Sequence, residues 1–94
     1  TDELNAYRAA IRREIERHKR YPARAKMMRK QGVVSVSFSV SSDGSLSGER
    51  VTNSSGDESL DNAALEAVRS ARPVGPKPVG FASSVSVPIS FTIQ

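Results

Sequence analysis

A histidine, a carboxylate cluster and a glycine-rich loop each occur once in this chain, and each lacks the partners its chemistry would need. His18 is the sole histidine, set among arginines at the end of a helical stretch. General-base or metal-ligand work requires a second base, nucleophile or ligand at matching spacing, so His18 reads as a surface residue. Asp57, Glu58 and Asp61 gather where a helix begins, a place where the helix dipole favours carboxylates; the ligand spacing of a calcium loop is missing. Gly75-Pro76-Lys77-Pro78-Val79-Gly80 is no phosphate loop, because its prolines remove the N–H groups that would cradle the anion. Asn53-Ser54-Ser55 fits a glycosylation acceptor, which matters only in a eukaryotic secretory protein. The absence of cysteine removes thiolate and disulfide chemistry and suits a cytosolic or a periplasmic protein equally. The sequence therefore predicts no catalytic residue, no metal site and no cofactor, and an enzyme is the weakest reading.

Main-chain chemistry and charge remain. Residues 83–94, SSVSVPISFTIQ, alternate strictly: Val85, Val87, Ile89, Phe91 and Ile93 on one side, Ser84, Ser86, Ser90 and Thr92 on the other. That is the period of a half-buried strand. Pro88 cannot donate to a ladder, so this strand belongs at a sheet edge. Pro88 also orients that edge: its parity, with Ser86, Ser90 and Thr92, should turn its backbone groups outward, while Val85, Val87, Ile89 and Phe91 bond the inner strand. A long open edge is a template for an extended peptide. Charge is concentrated elsewhere: ten of 14 Lys and Arg lie between Arg8 and Lys30, opposed only by Glu14 and Glu16, a local net of +8. Such a basic third invites anionic polymer or membrane. No aromatic stacking platform accompanies it, so nucleic acid is not expected, and a solvated helix face or an acidic protein partner is the more ordinary explanation.

The elements that must position these residues follow from periodicity. Residues 2–20 form an amphipathic helix with Leu4, Tyr7, Ile11 and Ile15 in one stripe, acids first and bases last. Tyr21-Pro22 stops it, and Pro22 is well placed as the first residue of a short helix, Ala23 to about Arg29. Residues 33–41 alternate as a strand, with Val34, Val36, Phe38 and Val40 inward and Ser35, Ser37, Ser39 and Ser41 on the solvated face; Ser42-Asp43-Gly44-Ser45 makes a hairpin, and Leu46 to about Asn53 returns. Leu46 and Val51 fall on opposite parities, which predicts a bulge near Gly48. Asp57 or Ser59 caps a second long helix to about Ser70, with Leu60, Ala64, Ala67 or Val68, and Ala71 inward. Residues 72–82 are a loop. The 94 residues make one domain of α+β class: two helices on one face of a three-stranded antiparallel sheet, in the order α, short α, β, β, α, β. No apolar run is long enough to span a membrane and no signal peptide is seen.

Several of these segments occur together in a known order. Tyr21-Pro22-Ala23-Arg24-Ala25, then Gly32 before Val34-Ser35-Val36-Ser37-Phe38-Ser39-Val40, then Asp43-Gly44, Ser54-Ser55-Gly56, Leu60-Asp61-Asn62-Ala63-Ala64-Leu65-Glu66-Ala67-Val68-Arg69 and the closing strand resemble the C-terminal domain of the TonB family. The resemblance implies a periplasmic energy-transducing domain of a Gram-negative bacterium, belonging to an inner-membrane-anchored protein whose membrane helix and proline-rich linker are not in this chain. Such proteins couple the proton-motive force, through ExbB–ExbD, to outer-membrane receptors that import iron-siderophores, haem or cobalamin. It also implies that the last strand, Ser84, Val85, Ser86, Val87, Pro88, Ile89, Ser90 and Thr92, pairs with the receptor's TonB box. The segment Arg17, His18, Lys19, Arg20 and Tyr21, with Arg24, would touch the receptor as well. Where well-known members carry Gln-Pro before the tyrosine, this chain has His18-Lys19; where they carry an aromatic run after the helix, it has Ala71-Arg72-Pro73. A TolA-like interaction domain of related fold is the alternative. A monomer is expected, with a strand-exchanged dimer open to it.

Overall fold

The apolar stripe of the first helix is where the core begins. In the computed structural model, which describes residues 2–93, α1 spans Asp2–His18 and buries Tyr7, Ile11 and Ile15. Its acids, Asp2 and Glu3, stand in the first turn, and its last turn carries Arg17 and His18, the arrangement the helix dipole favours. Pro22 then caps α2, Ala23–Met27, standing just before the helix rather than as its first residue. Ala25 is the buried residue of α2.

Strand β1, Gly32–Val40, lies in the middle of an antiparallel sheet of order β2-β1-β3, with β2 at Leu46–Asn53 and β3 at Ser84–Phe91. The β1–β2 hairpin turns on Gly44, whose φ is +93°, and Asp43 accepts bonds from the Ser45 backbone N–H at 3.0 Å and its hydroxyl at 2.8 Å. Between Ser37 and Ser39 the register against β2 slips by one residue, the bulge expected near Gly48. It brings Leu46 and Val51 to the same side despite their opposite parity, and both pack against the core. A second irregularity, between Ser35 and Val36, has no counterpart in the sequence pattern.

Helix α3, Glu58–Ser70, opens on Asp57, whose carboxylate accepts from the Ser59 N–H at 2.9 Å. Its inner stripe, Leu60, Ala64, Ala67 and Val68, meets Ile11 and Ile15 of α1 and Val34, Val36 and Phe38 of β1 in one buried cluster. Each such aliphatic or aromatic side chain contributes about 1.5–3 kcal/mol when buried. The α+β class and the expected element order are both present. Two further features differ from expectation. Ser37, placed on the solvated face, is 6% exposed. The connection from α3 to β3 is also no free loop: Phe81 lies in the core with its ring edge-on to Tyr7 at 4.9 Å, and the Tyr7 hydroxyl donates to the Gly75 carbonyl at 2.8 Å. No helix among the described residues is long and apolar enough to cross a membrane.

Candidate functional site

Alternation along β3 separates a buried face from an exposed one. Val85, Val87, Ile89 and Phe91 are buried, and Ser84, Ser86, Pro88 and Ser90 are exposed. The strand stands at the sheet edge and pairs with β1 in unbroken register, Val36 opposite Val87 and Ser35 opposite Pro88. The Val40 N–H donates to the Ser83 carbonyl at 2.8 Å, and these two residues oppose each other in that same register. In an antiparallel ladder, directly bonded pairs recur at every second residue. Phe38/Val85, Val36/Val87, Val34/Ile89 and Gly32/Phe91 are therefore the bonded pairs. Ser84, Ser86, Pro88 and Ser90 turn their main-chain groups away from β1, as the proline required. Thr92 shares that parity but lies one residue past the strand, where the Ile93 N–H is taken by the Gln31 side chain at 3.2 Å.

The basic segment before Tyr21 divides around this edge. Lys19 reaches it: its Nζ donates to the Ser90 carbonyl at 2.7 Å, pairs with Glu16 at 3.1 Å and lies 5.6 Å from the centre of the Phe91 ring. That bond is a second, independent sign that the Ser90 carbonyl points out of the ladder. Tyr21 sets its ring edge-on to Phe91 at 5.6 Å and donates its hydroxyl to the Lys30 carbonyl. Arg17, His18 and Arg20 turn instead towards α3 and line an open cleft with Pro22, Ala63 and Glu66. Arg24 is exposed and faces a groove shared with Met28, Lys30 and the start of α3. The structure thus joins Lys19 and Tyr21 to the β3 edge and holds Arg17, His18, Arg20 and Arg24 on other surfaces.

His18 is less solitary than its sequence surroundings suggested. Its Nε2 lies 2.8 Å from a Glu14 oxygen, and Glu14 also takes Arg17 at 3.4 Å and the backbone N–H of Arg72 at 2.9 Å. The Arg72 N–H first, then His18 and Arg17, hold the Glu14 carboxyl below its usual range against an opposing effect of burial. A Glu14-His18 spacing of four is readable on a helix; the contact with Arg72, 58 residues away, is not. The carboxylates at the α3 start are engaged structurally. Asp57 caps the helix, and Asp61 receives the Ser55 N–H at 3.0 Å, the Ser55 hydroxyl at 2.8 Å and the Ser54 hydroxyl. Among the described residues no three His, Cys, Asp or Glu side chains are placed to hold a metal ion.

These features define a small α+β domain whose three-stranded antiparallel sheet ends in a regular edge strand flanked by a basic helix end. The family model for the Gram-negative bacterial TonB protein C-terminal matches residues 17–93, and the chain belongs to that family. It is 70% identical over its whole length to Protein TonB of Haemophilus influenzae and 62% identical over 99% of its length to Protein TonB of Pasteurella multocida. It spans about a third of those relatives, 35% and 36%. The solution structure of the Helicobacter pylori TonB C-terminal domain, residues 179–285, superposes with a TM-score of 0.82 at 33% identity, covering 96% of this chain and 83% of that one.

Proposed function

We propose that this domain binds the TonB box of outer-membrane receptors by adding that segment as a fourth strand along β3. In this reading it is the periplasmic part of an inner-membrane-anchored protein and acts as a monomer. It passes on work that ExbB–ExbD draw from the proton-motive force through the rest of that protein, for import of iron-siderophore, haem or cobalamin. The observation that carries the reading is the parity of β3: Ser84, Ser86, Pro88 and Ser90 turn their main-chain groups outward, where no strand pairs with them, the Ser90 carbonyl being held by the Lys19 side chain, and the missing N–H of Pro88 breaks no internal bond. Val85, Val87, Ile89 and Phe91 anchor the strand from behind, so an added strand meets an edge already held in register.

Titrating the isotopically labelled domain with a TonB-box peptide tests this. Amide shifts should concentrate at Ser84, Ser86 and Ser90, with new protection from hydrogen exchange at those N–H groups. Shifts confined to the cleft around Arg17 and Arg20 would reject strand addition and favour docking by charge alone.

A further inference from the structure

We propose that Lys19 is a displaceable occupant of the β3 edge, and that once evicted it selects incoming strands bearing a carboxylate beside Phe91; this rests on the strand-addition reading. Strands in a sheet lie about 4.8 Å apart. An ammonium bonded 2.7 Å from the outward Ser90 carbonyl stands inside the lane that an added backbone must fill. The main-chain N–H of the newcomer would claim the acceptor that Lys19 now uses.

Eviction cannot carry Lys19 far. It follows directly on α1, its own N–H donates to the Glu16 carbonyl at 3.2 Å, and neighbouring Tyr21 is packed on Phe91. Its side chain is 26% exposed, so the displaced ammonium stays at the rim, on the side of the sheet where Phe91 faces the helices. Residues directly opposed across a ladder point their side chains to the same face. The incoming residue that meets the ammonium is therefore the one opposite Phe91, at one end of the added segment. A carboxylate there replaces the lost contact with Ser90, whereas a neutral side chain leaves Lys19 with Glu16 alone.

The test uses short blocked peptides of alternating Val and Thr, with Glu at the first or the last residue, and Gln controls. Each is titrated into the parent, Lys19→Met and Lys19→Gln domains and followed at the Ser86 and Ser90 amides. Lys19→Met keeps an aliphatic stem on Phe91 and removes the donor; Lys19→Gln keeps a donor and removes the charge. The parent should bind one Glu peptide about two- to fivefold more tightly than its Gln control. Lys19→Met should erase that preference and bind the Gln peptide more tightly than the parent does, because nothing has to be evicted. Lys19→Gln should erase the preference without that gain. A preference that survives in Lys19→Met, or unchanged affinity of that variant for the Gln peptide, overturns the role of Lys19 while leaving strand addition intact. If no peptide, nor a TonB box, moves the β3 amides of the parent, strand addition itself fails and Lys19 has nothing to gate.

Discussion

Two proline substitutions one residue apart separate the outward and inward halves of β3. Ser86 is exposed, opposes Ser37 across a non-bonded position, and turns its N–H away from β1. Ser86→Pro removes that donor and leaves the β1–β3 ladder whole, and Val85 before it is already in the extended conformation a following proline demands. The variant should fold and melt within a few degrees of the parent. An incoming strand would lose one main-chain bond, about 0.5–1.5 kcal/mol, so its Kd should rise about 2- to 13-fold. Val87→Pro is the contrast. Val87 is 4% exposed and its N–H belongs to the bonded pair with Val36. Losing it strands a buried carbonyl at about 1–3 kcal/mol, before any loss of packing. At about 4–8 °C per kcal/mol for a domain of this size, the melting midpoint should fall by about 4–24 °C. Calorimetry gives the stability arm and peptide titration the binding arm. Equal destabilisation by both prolines would show that the parity is wrong. A stable Ser86→Pro domain that binds the TonB box as the parent does would show that the peptide lies elsewhere.

Three other outcomes follow from the geometry. Phe38 is 1% exposed at the centre of the core, so Phe38→Ala should cost about 3–5 kcal/mol and lower the melting midpoint in calorimetry by at least about 12 °C. The carboxyls of Glu14, Asp43 and Asp57 are held low, chiefly by the Arg72 N–H, the Ser45 N–H and the Ser59 hydroxyl, and that of Asp61 by Ser54 and Ser55 against burial. Groups lowered by folding stabilise it above their unfolded pKa and lose that contribution as pH falls through the folded value, so urea midpoints should be flat near neutrality and drop between about pH 5 and pH 2, with a shallower drop in Glu14→Gln. If the Arg17–Arg20 cations dock on an acidic receptor surface, binding to the whole receptor should weaken with salt more steeply than binding to its isolated TonB box; equal salt slopes would refute that docking.

Those parts of the molecule whose pattern is local were legible in the sequence. The stripe of Tyr7, Ile11 and Ile15, a cap at Asp57 or Ser59, the Asp43-Gly44 turn and the serine-valine alternation of β1 and β3 each declare themselves within a few residues, and each is present, the cap being Asp57. Pro88 was informative beyond its neighbourhood, because a missing donor constrains which partner a strand can have and on which side. Contacts between distant segments left no such trace. Nothing near Lys19 points to Ser90, 71 residues on, and nothing near Tyr7 points to Gly75, 68 residues on. Phe81 stands among prolines and glycines that spell a loop, yet it fills the end of the core beside Tyr7. The basic residues were readable as a run, but their division between the β3 edge and the α3 cleft depends on how the chain leaves α1 after His18.

The two borders of the sheet are unequal, and that inequality governs assembly. On β2 the register slips twice in eight residues, so its outer border is twisted and broken as a template. The border along β3 is regular from Ser84 to Phe91. A sheet with two usable borders can propagate without limit, each copy passing the template to the next. With one, growth stops after a single addition. Self-association along β3 therefore closes as a two-fold pair, the same surface meeting itself, and such a pair occupies the border a foreign strand would need. Crowding of this domain in one compartment would lower the number of free acceptors rather than seed fibres.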